Sequence, residues 1–144
     1  MAYPTQVNAL TQAFRQRWPD TTLTLHFHNT RGMGLANVLA AIDAGAERFD
    51  ASLGGIGGCP YAPGATGNVC TEEIAHALEL MGYDTGVSLP RLVGASRRLP
   101  DLIGHDTPSQ IVKAGQGLDL HPLPRDFEAI RERAHARAAA PLAL

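Results

Sequence analysis

SLGGIGGCPYAPGATGN, residues 52–68, lies between a short apolar strand pattern and a helix start. Its six glycines, two prolines and two alanines do not suit the interior of a strand or helix. A packed core has no need of that composition. Such a run lays backbone close to a ligand, moves as a lid, and presents its one cysteine, Cys59. It is therefore the loop of a strand–loop–helix unit, and the rest of the chain is organised around it.

Upstream, Arg48 to Leu53 reads as a short strand, with Phe49, Ala51 and Leu53 on one face and Asp50 and Ser52 on the other. Before it, Leu35, Val38, Leu39 and Ile42 mark a helix that Gly45 stops. Further back, Thr22 to His28 alternates strictly. Leu23, Leu25 and Phe27 face one way; Thr22, Thr24, His26 and His28 face the other. A first helix spans Pro4 to Trp18, with Val7, Leu10, Phe14 and Trp18 as its apolar stripe and Pro19 as its stop. Phe14, Trp18 and Met81 read as core positions. Downstream, Thr71 reads as the cap of a third helix that buries Ile74, Ala77, Leu78 and Met81 and ends at Gly82. A fourth helix is expected from Ser88 to Leu99, stopped by Pro100. Ile111 and Val112 pack locally, and Phe127 to Ala140 is a surface helix or a frayed tail.

Helix and strand alternate, so the fold class is α/β with parallel strands and right-handed crossovers. Two strands alone neither bury both faces of a sheet nor close a barrel. The chain reads as part of a larger α/β fold, or as a domain that needs a partner.

With 144 residues, a net charge of −2 and 44% apolar content, the composition is that of an ordinary globular domain. The charge argues against nucleic-acid or anionic-membrane partners. No signal peptide or membrane span is apparent. Cys59 and Cys70 make no C-x-x-C pair, and a reducing cytosol with free thiols is the expectation.

His26 and His28, at i and i+2, share a strand face with Cα atoms roughly 6.6 Å apart. They lie at the C-terminal end of their strand, where open α/β sheets and barrels place their sites. They are either a metal-binding pair or two solvent-facing histidines. Asn68, closing the glycine run at the same face, is a candidate oxygen ligand. Two imidazoles with oxygen ligands suit Mg²⁺ or Mn²⁺, or Fe²⁺. Cys59 is either a reactive loop thiol or an ordinary loop cysteine. Arg31 is either a binder of anionic substrate or a solvated loop residue. His76, His105, His121 and His135 read as surface residues. The run lacks Gly-Lys-Ser/Thr and is no phosphate-binding loop of that type.

Three blocks are similar to hydroxymethylglutaryl-CoA lyase: Leu25-His-Phe-His-Asn-Thr-Arg-Gly, Leu35-Ala-Asn, and Gly57-Gly-Cys-Pro-Tyr-Ala-Pro-Gly-Ala-Thr-Gly-Asn. The last resembles that family's active-site signature, and the resemblance covers roughly Tyr3 to Gly115. It implies the C-terminal portion of a (β/α)8 barrel, with Thr22–His28 as strand seven and Arg48–Leu53 as strand eight. Residues 1–115 form this partial barrel, and 116–144 form a tail. It further implies His26, His28 and Asn68 as ligands of a divalent metal, Mg²⁺ or Mn²⁺, with His26 also near the reacting groups. Cys59 becomes the loop thiol of proton transfer, and Arg31 a candidate substrate contact. The implied reaction cleaves 3-hydroxy-3-methylglutaryl-CoA to acetyl-CoA and acetoacetate, as in leucine degradation and ketone-body formation.

Two departures stand out. The family's Asp-Thr-Tyr-Gly after His-x-His is here Asn29-Thr30-Arg31-Gly32, which points to a related acyl-CoA or hydroxy acid as an alternative substrate. The six earlier strands of such a barrel, with their Arg-Asp-Gly motif, do not occur in the 144 residues, whereas a whole barrel takes about 250 residues. The expectation is a chain inactive alone. It forms a homo-oligomer, or docks on a chain carrying the first six strands, in the extreme as a non-catalytic module.

Overall fold

The computed structural model describes residues 2–62, 64–117, 119 and 122–139. Two short parallel strands lie at its centre. β1 (Thr24–His26) and β2 (Arg48–Asp50) pair with Thr24 opposite Arg48, Leu25 opposite Phe49 and His26 opposite Asp50. Parallel neighbours need a crossover, and α2 (Gly34–Asp43) supplies it. α1 (Pro4–Arg17) precedes β1 and packs along α2. The expected α/β alternation is present. After β2 come α3 (Thr71–Leu80), α4 (Leu89–Ser96), α5 (Leu99–Ile103), α6 (Gln110–Ala114) and the exposed α7 (Phe127–Ala139).

The strand alternation decides where the core sits. Leu25, Phe27 and Phe49 pack on Val7, Ala41 and Ala46 from the helical layer. Phe27, Phe49 and Ala51 also meet Val38, Val69 and Ile74. A further cluster of Ala75, Leu89 and Val93, with Leu92 and Ile111 against it, joins α3, α4 and α6. The opposite strand face, with Thr24, His26, Arg48 and Asp50, is exposed.

Regular pairing is shorter than the alternation predicts, because another segment takes over the strand ends. Residues 67–70, the close of the glycine run, bond to both. Asn29 N–H donates to Gly67 O at 2.9 Å and Val69 N–H to Phe27 O at 3.1 Å. Ser52 N–H donates to Val69 O at 3.2 Å, and Thr71 N–H to Ser52 O at 3.0 Å. His28 thus lies opposite Asn68 in an antiparallel bridge, and Ser52 opposite Cys70 in a parallel one.

Several sequence expectations are corrected here. α1 turns Val7 and Thr11, not the whole predicted stripe, into the interior; Leu10 and Trp18 are 63% and 51% exposed. Leu10, Phe14 and Trp18 instead line an apolar hollow together with Leu23 and Leu25. Met81 is exposed, since it falls just past the last turn of α3. Cys70, not Thr71, is the cap residue of α3. Pro100 does not stop the fourth helix, which already ends at Ser96; it sits in the first turn of α5, where its missing N–H costs no bond. Among the described residues no helix is long and apolar enough to cross a membrane.

Candidate active site

The two histidines stand at the exit of β1 with ring centroids 5.2 Å apart, edge to face. Each has its Nδ1 occupied. His26 Nδ1 bonds the Asp50 carboxylate on the neighbouring strand, as the register requires. His28 Nδ1 lies 2.9 Å from the carbonyl of Thr66. A carbonyl or carboxylate oxygen accepts, so each Nδ1 carries the proton. Neutral imidazoles in this tautomer keep the Nε2 lone pair for a metal or an acid.

Asn68 is held just as firmly. Its Nδ2 donates to Ser52 Oγ at 2.7 Å and to the Ile56 carbonyl at 3.0 Å. The carbonyl fixes which amide atom is nitrogen. Its Oδ1 is then left buried with no hydrogen-bond partner. A buried orphan acceptor carries a desolvation cost of about 1–3 kcal/mol, which a cation would relieve. By donor type, two imidazole nitrogens and an amide oxygen suit a divalent cation. Among the described residues no group of three His, Cys, Asp or Glu side chains could hold a metal ion.

A hollow of about 370 Å³ is lined by His26, His28, Thr30, Arg31, Asn37 and Ala65, among others. Arg31 lies in a 3-10 turn with φ +59, a left-handed conformation that strains a residue with a Cβ. It also lines an adjoining hollow with Asn29, Thr66 and Asn68. The structure thus groups His26, His28 and Arg31, with Asn68 next to His28 across the bridge. Cys59 is half-buried on the loop and lines neither hollow. Sequence reasoning named Asn37 only as the end of the Leu35-Ala-Asn block and gave it no role; it is 3% exposed, donates to the Ala2 carbonyl at 3.3 Å and has an unpartnered Oδ1.

The glycine run is not all loop. Gly54 and Gly55 are buried, against the reading that no core needs this composition. A Cβ on Gly67 would lie 2.0 Å from Gly55 O, and one on Gly55 2.6 Å from Cys70 Sγ. Entry and exit of the loop touch, and only glycine fits there. The tip is open: among the described residues nothing lies within 4 Å of a Cβ on Gly58 or Gly64. Cys70 is 2% exposed, and burial, reinforced by Glu73 and Glu72, pushes its thiol pKa far up, so it is inert. His76 is half-buried rather than a free surface group, and accepts from Gly117 N–H at 3.0 Å. His105 and His135 are exposed as expected, and His121 lies outside the described residues.

The HMGL-like family model matches residues 1–99. The chain belongs to this family. Among HMGL-like relatives, it is 49% identical over 115 residues to the (R)-citramalyl-CoA lyase of Chloroflexus aurantiacus, covering 80% of this chain and 36% of that protein. It is 44% identical over 109 residues to a hydroxymethylglutaryl-CoA lyase of Bacillus subtilis, covering 76% and 36%. A solved HMG-CoA lyase from Acinetobacter baumannii, in complex with coenzyme A and 3-methylmalate, superposes with a TM-score of 0.83 at 56% identity, over 86% of this chain and 41% of that one. The chain spans little more than a third of the length of these HMGL-like proteins.

Proposed function

We propose that the chain forms the metal-binding, lid-bearing part of a carbon–carbon lyase that cleaves 3-hydroxy-3-methylglutaryl-CoA to acetyl-CoA and acetoacetate. In this reading β1 and β2 are strands seven and eight of a (β/α)8 barrel within residues 1–115, and 116–144 is a tail. The observation that carries it is the pair of imidazoles with Nε2 available at one hollow, beside the orphaned Asn68 oxygen. His26, His28 and Asn68 would hold the cation. When bound, it would orient substrate oxygens and stabilise charge developing on them.

The chain's own residues supply the rest. Asp50 holds the His26 ring facing the reacting groups, and the Thr66 carbonyl holds His28. The reaction takes the proton from the tertiary hydroxyl, breaks the adjacent C–C bond to leave a ketone, and moves the electron pair into a thioester enolate. Protonation of that enolate gives acetyl-CoA. Cys59, on the glycine-run loop, moves one of these protons when the loop closes on bound substrate. Arg31 contacts the acyl carboxylate. The remaining strands come from outside these 144 residues, in the same polypeptide or in a partner. Free thiols at Cys59 and Cys70 suit a reducing, cytosolic setting.

A second substrate reading has its own support. The similarity to a citramalyl-CoA lyase, the 3-methylmalate in the similar solved structure, and Arg31 with Asn29 at the mouth favour a shorter hydroxy-diacid thioester. The test is acetyl-CoA release from hydroxymethylglutaryl-CoA and from citramalyl-CoA. Purified chain is assayed alone and mixed with a polypeptide supplying the first six strands. Turnover only in the mixture supports the reading, and the ratio of rates assigns the substrate. Efficient turnover by the chain alone refutes its dependence on those strands; no turnover in a stable complex refutes the lyase assignment.

A further inference from the structure

Glu72 is 0% exposed in the first turn of α3. A carboxylate buried to that extent needs donors to replace water. Gly54 N–H lies 3.0 Å from Oε1 and 3.1 Å from Oε2, and the Ser96 hydroxyl donates to Oε1 at 2.7 Å. The free N–H groups and dipole of the first turn of α3 add to the positive field. Hydrogen bonds to an ionised acceptor are the short, strong kind.

The place where this carboxylate acts is specific. Gly54 opens the glycine run, with φ +65 and its Cα packed under Leu99 and Thr107. Gly55, the next residue, abuts Gly67 at the loop's exit. Ser96 belongs to α4, so one side chain ties α3, α4 and the loop entry together. Beyond the neck, the tip makes its own turn, Ala62 N–H to Cys59 O at 3.4 Å and Ala65 N–H to Ala62 O at 3.0 Å. Its exit side is tied to the end of β1 through Thr66, whose N–H donates to Thr30 Oγ1 at 3.3 Å and whose carbonyl meets His28 Nδ1 at 2.9 Å. Cys59, on the entry side, thus sits between that turn and the neck at Gly54, which Glu72 holds.

We infer that Glu72 is a positioning residue, clamping the neck of the loop to α3 and α4 and so fixing where the entry side of the loop holds Cys59. This rests on reading residues 52–68 as the lid of the active site. An apolar residue at 72 would fill the same space but leave the Gly54 N–H unpaired.

The two cysteines make the test. The whole 144-residue chain is treated with iodoacetamide, and labelling at Cys59 and Cys70 is followed separately by mass spectrometry. Glu72→Gln keeps the shape but removes the charge and one acceptor. It is expected to speed Cys59 labelling about fivefold while Cys70 stays protected, and Ser96→Ala to give a smaller rise in the same direction. Unchanged Cys59 labelling in Glu72→Gln overturns the proposal. So does a parallel rise at both cysteines in both variants, which marks general loosening of the core. Lyase activity does not enter the readout, so this inference and the lyase assignment fail separately.

Discussion

His28 and Asn68 face each other across an antiparallel bridge, which brings the last residue of the glycine run beside the strand that carries the imidazoles. The Asn68 amide nitrogen spends both protons on Ser52 Oγ and the Ile56 carbonyl. Asn68→Asp would set a carboxylate oxygen against that carbonyl. It is expected to lose about 1–3 kcal/mol of stability. Urea unfolding checks this: the midpoint falls, with the slope unchanged.

Asp50 meets His26 across the parallel register, and both side chains are roughly half exposed. An exposed pair of this kind adds little to stability. Its expected effect is on ring orientation. Asp50→Asn should leave the urea midpoint within about 0.5 kcal/mol of the parent. It should weaken Mn²⁺ binding by about 10–100-fold, measured by loss of the free-ion EPR signal. Equal Mn²⁺ affinity in parent and variant would dismiss the role given to Asp50.

The neck glycines are expected to be intolerant, and the tip glycines tolerant. Gly67→Ala puts a methyl group 2.0 Å from the Gly55 carbonyl oxygen. Overpacking against backbone should cost about 2–4 kcal/mol. Gly58→Ala meets nothing within 4 Å and should stay within about 0.5 kcal/mol of the parent. Thermal melts of the pair give the comparison, and equal melting temperatures would contradict the closed neck.

Asp106 accepts from Lys113 Nζ at 3.2 Å and from Thr107 N–H at 2.9 Å. The Lys113 hydrogen bond first, then the Thr107 N–H, hold its carboxyl below the usual carboxylate range. A depressed folded-state pKa means the interaction contributes above the unfolded value, about 3.9, and is lost as pH falls through the folded value. Lys113→Ala should raise the Asp106 pKa toward that unfolded value in a carboxyl-carbon NMR titration. An unmoved titration would assign the shift to the Thr107 N–H and the neighbouring His105 instead.

Much of the α/β order was legible because local patterns carry it: the Leu23–Leu25–Phe27 alternation, and glycines at 45 and 82 where helices end. Both histidines and Asn68 could be singled out from spacing and position. What local pattern does not carry is long-range geometry. Nothing at residues 67–70 announces an extended segment, because it is stabilised by hydrogen bonds to Phe27, Asn29 and Ser52, distant in sequence. The exposure of Trp18 was hidden for the same reason: helical spacing gives a stripe but not which neighbour covers it. Glu72 looked like a favourable first-turn acid, which it is, but its burial depends on Gly54 and Ser96. Asn37 gave two signals, its place in the Leu35-Ala-Asn block and an amide on an otherwise apolar helix face, and neither specified a role.

The contact between Gly55 and Gly67 has a consequence for engineering. A segment whose two ends already touch behaves as a cassette. The residues between them can be exchanged for another sequence with little demand on the scaffold, because the ends keep their separation whatever lies at the tip. Transplanting tips between HMGL-like proteins that act on different acyl thioesters is then a direct way to ask how much of substrate choice resides in the lid and how much in the floor beneath it.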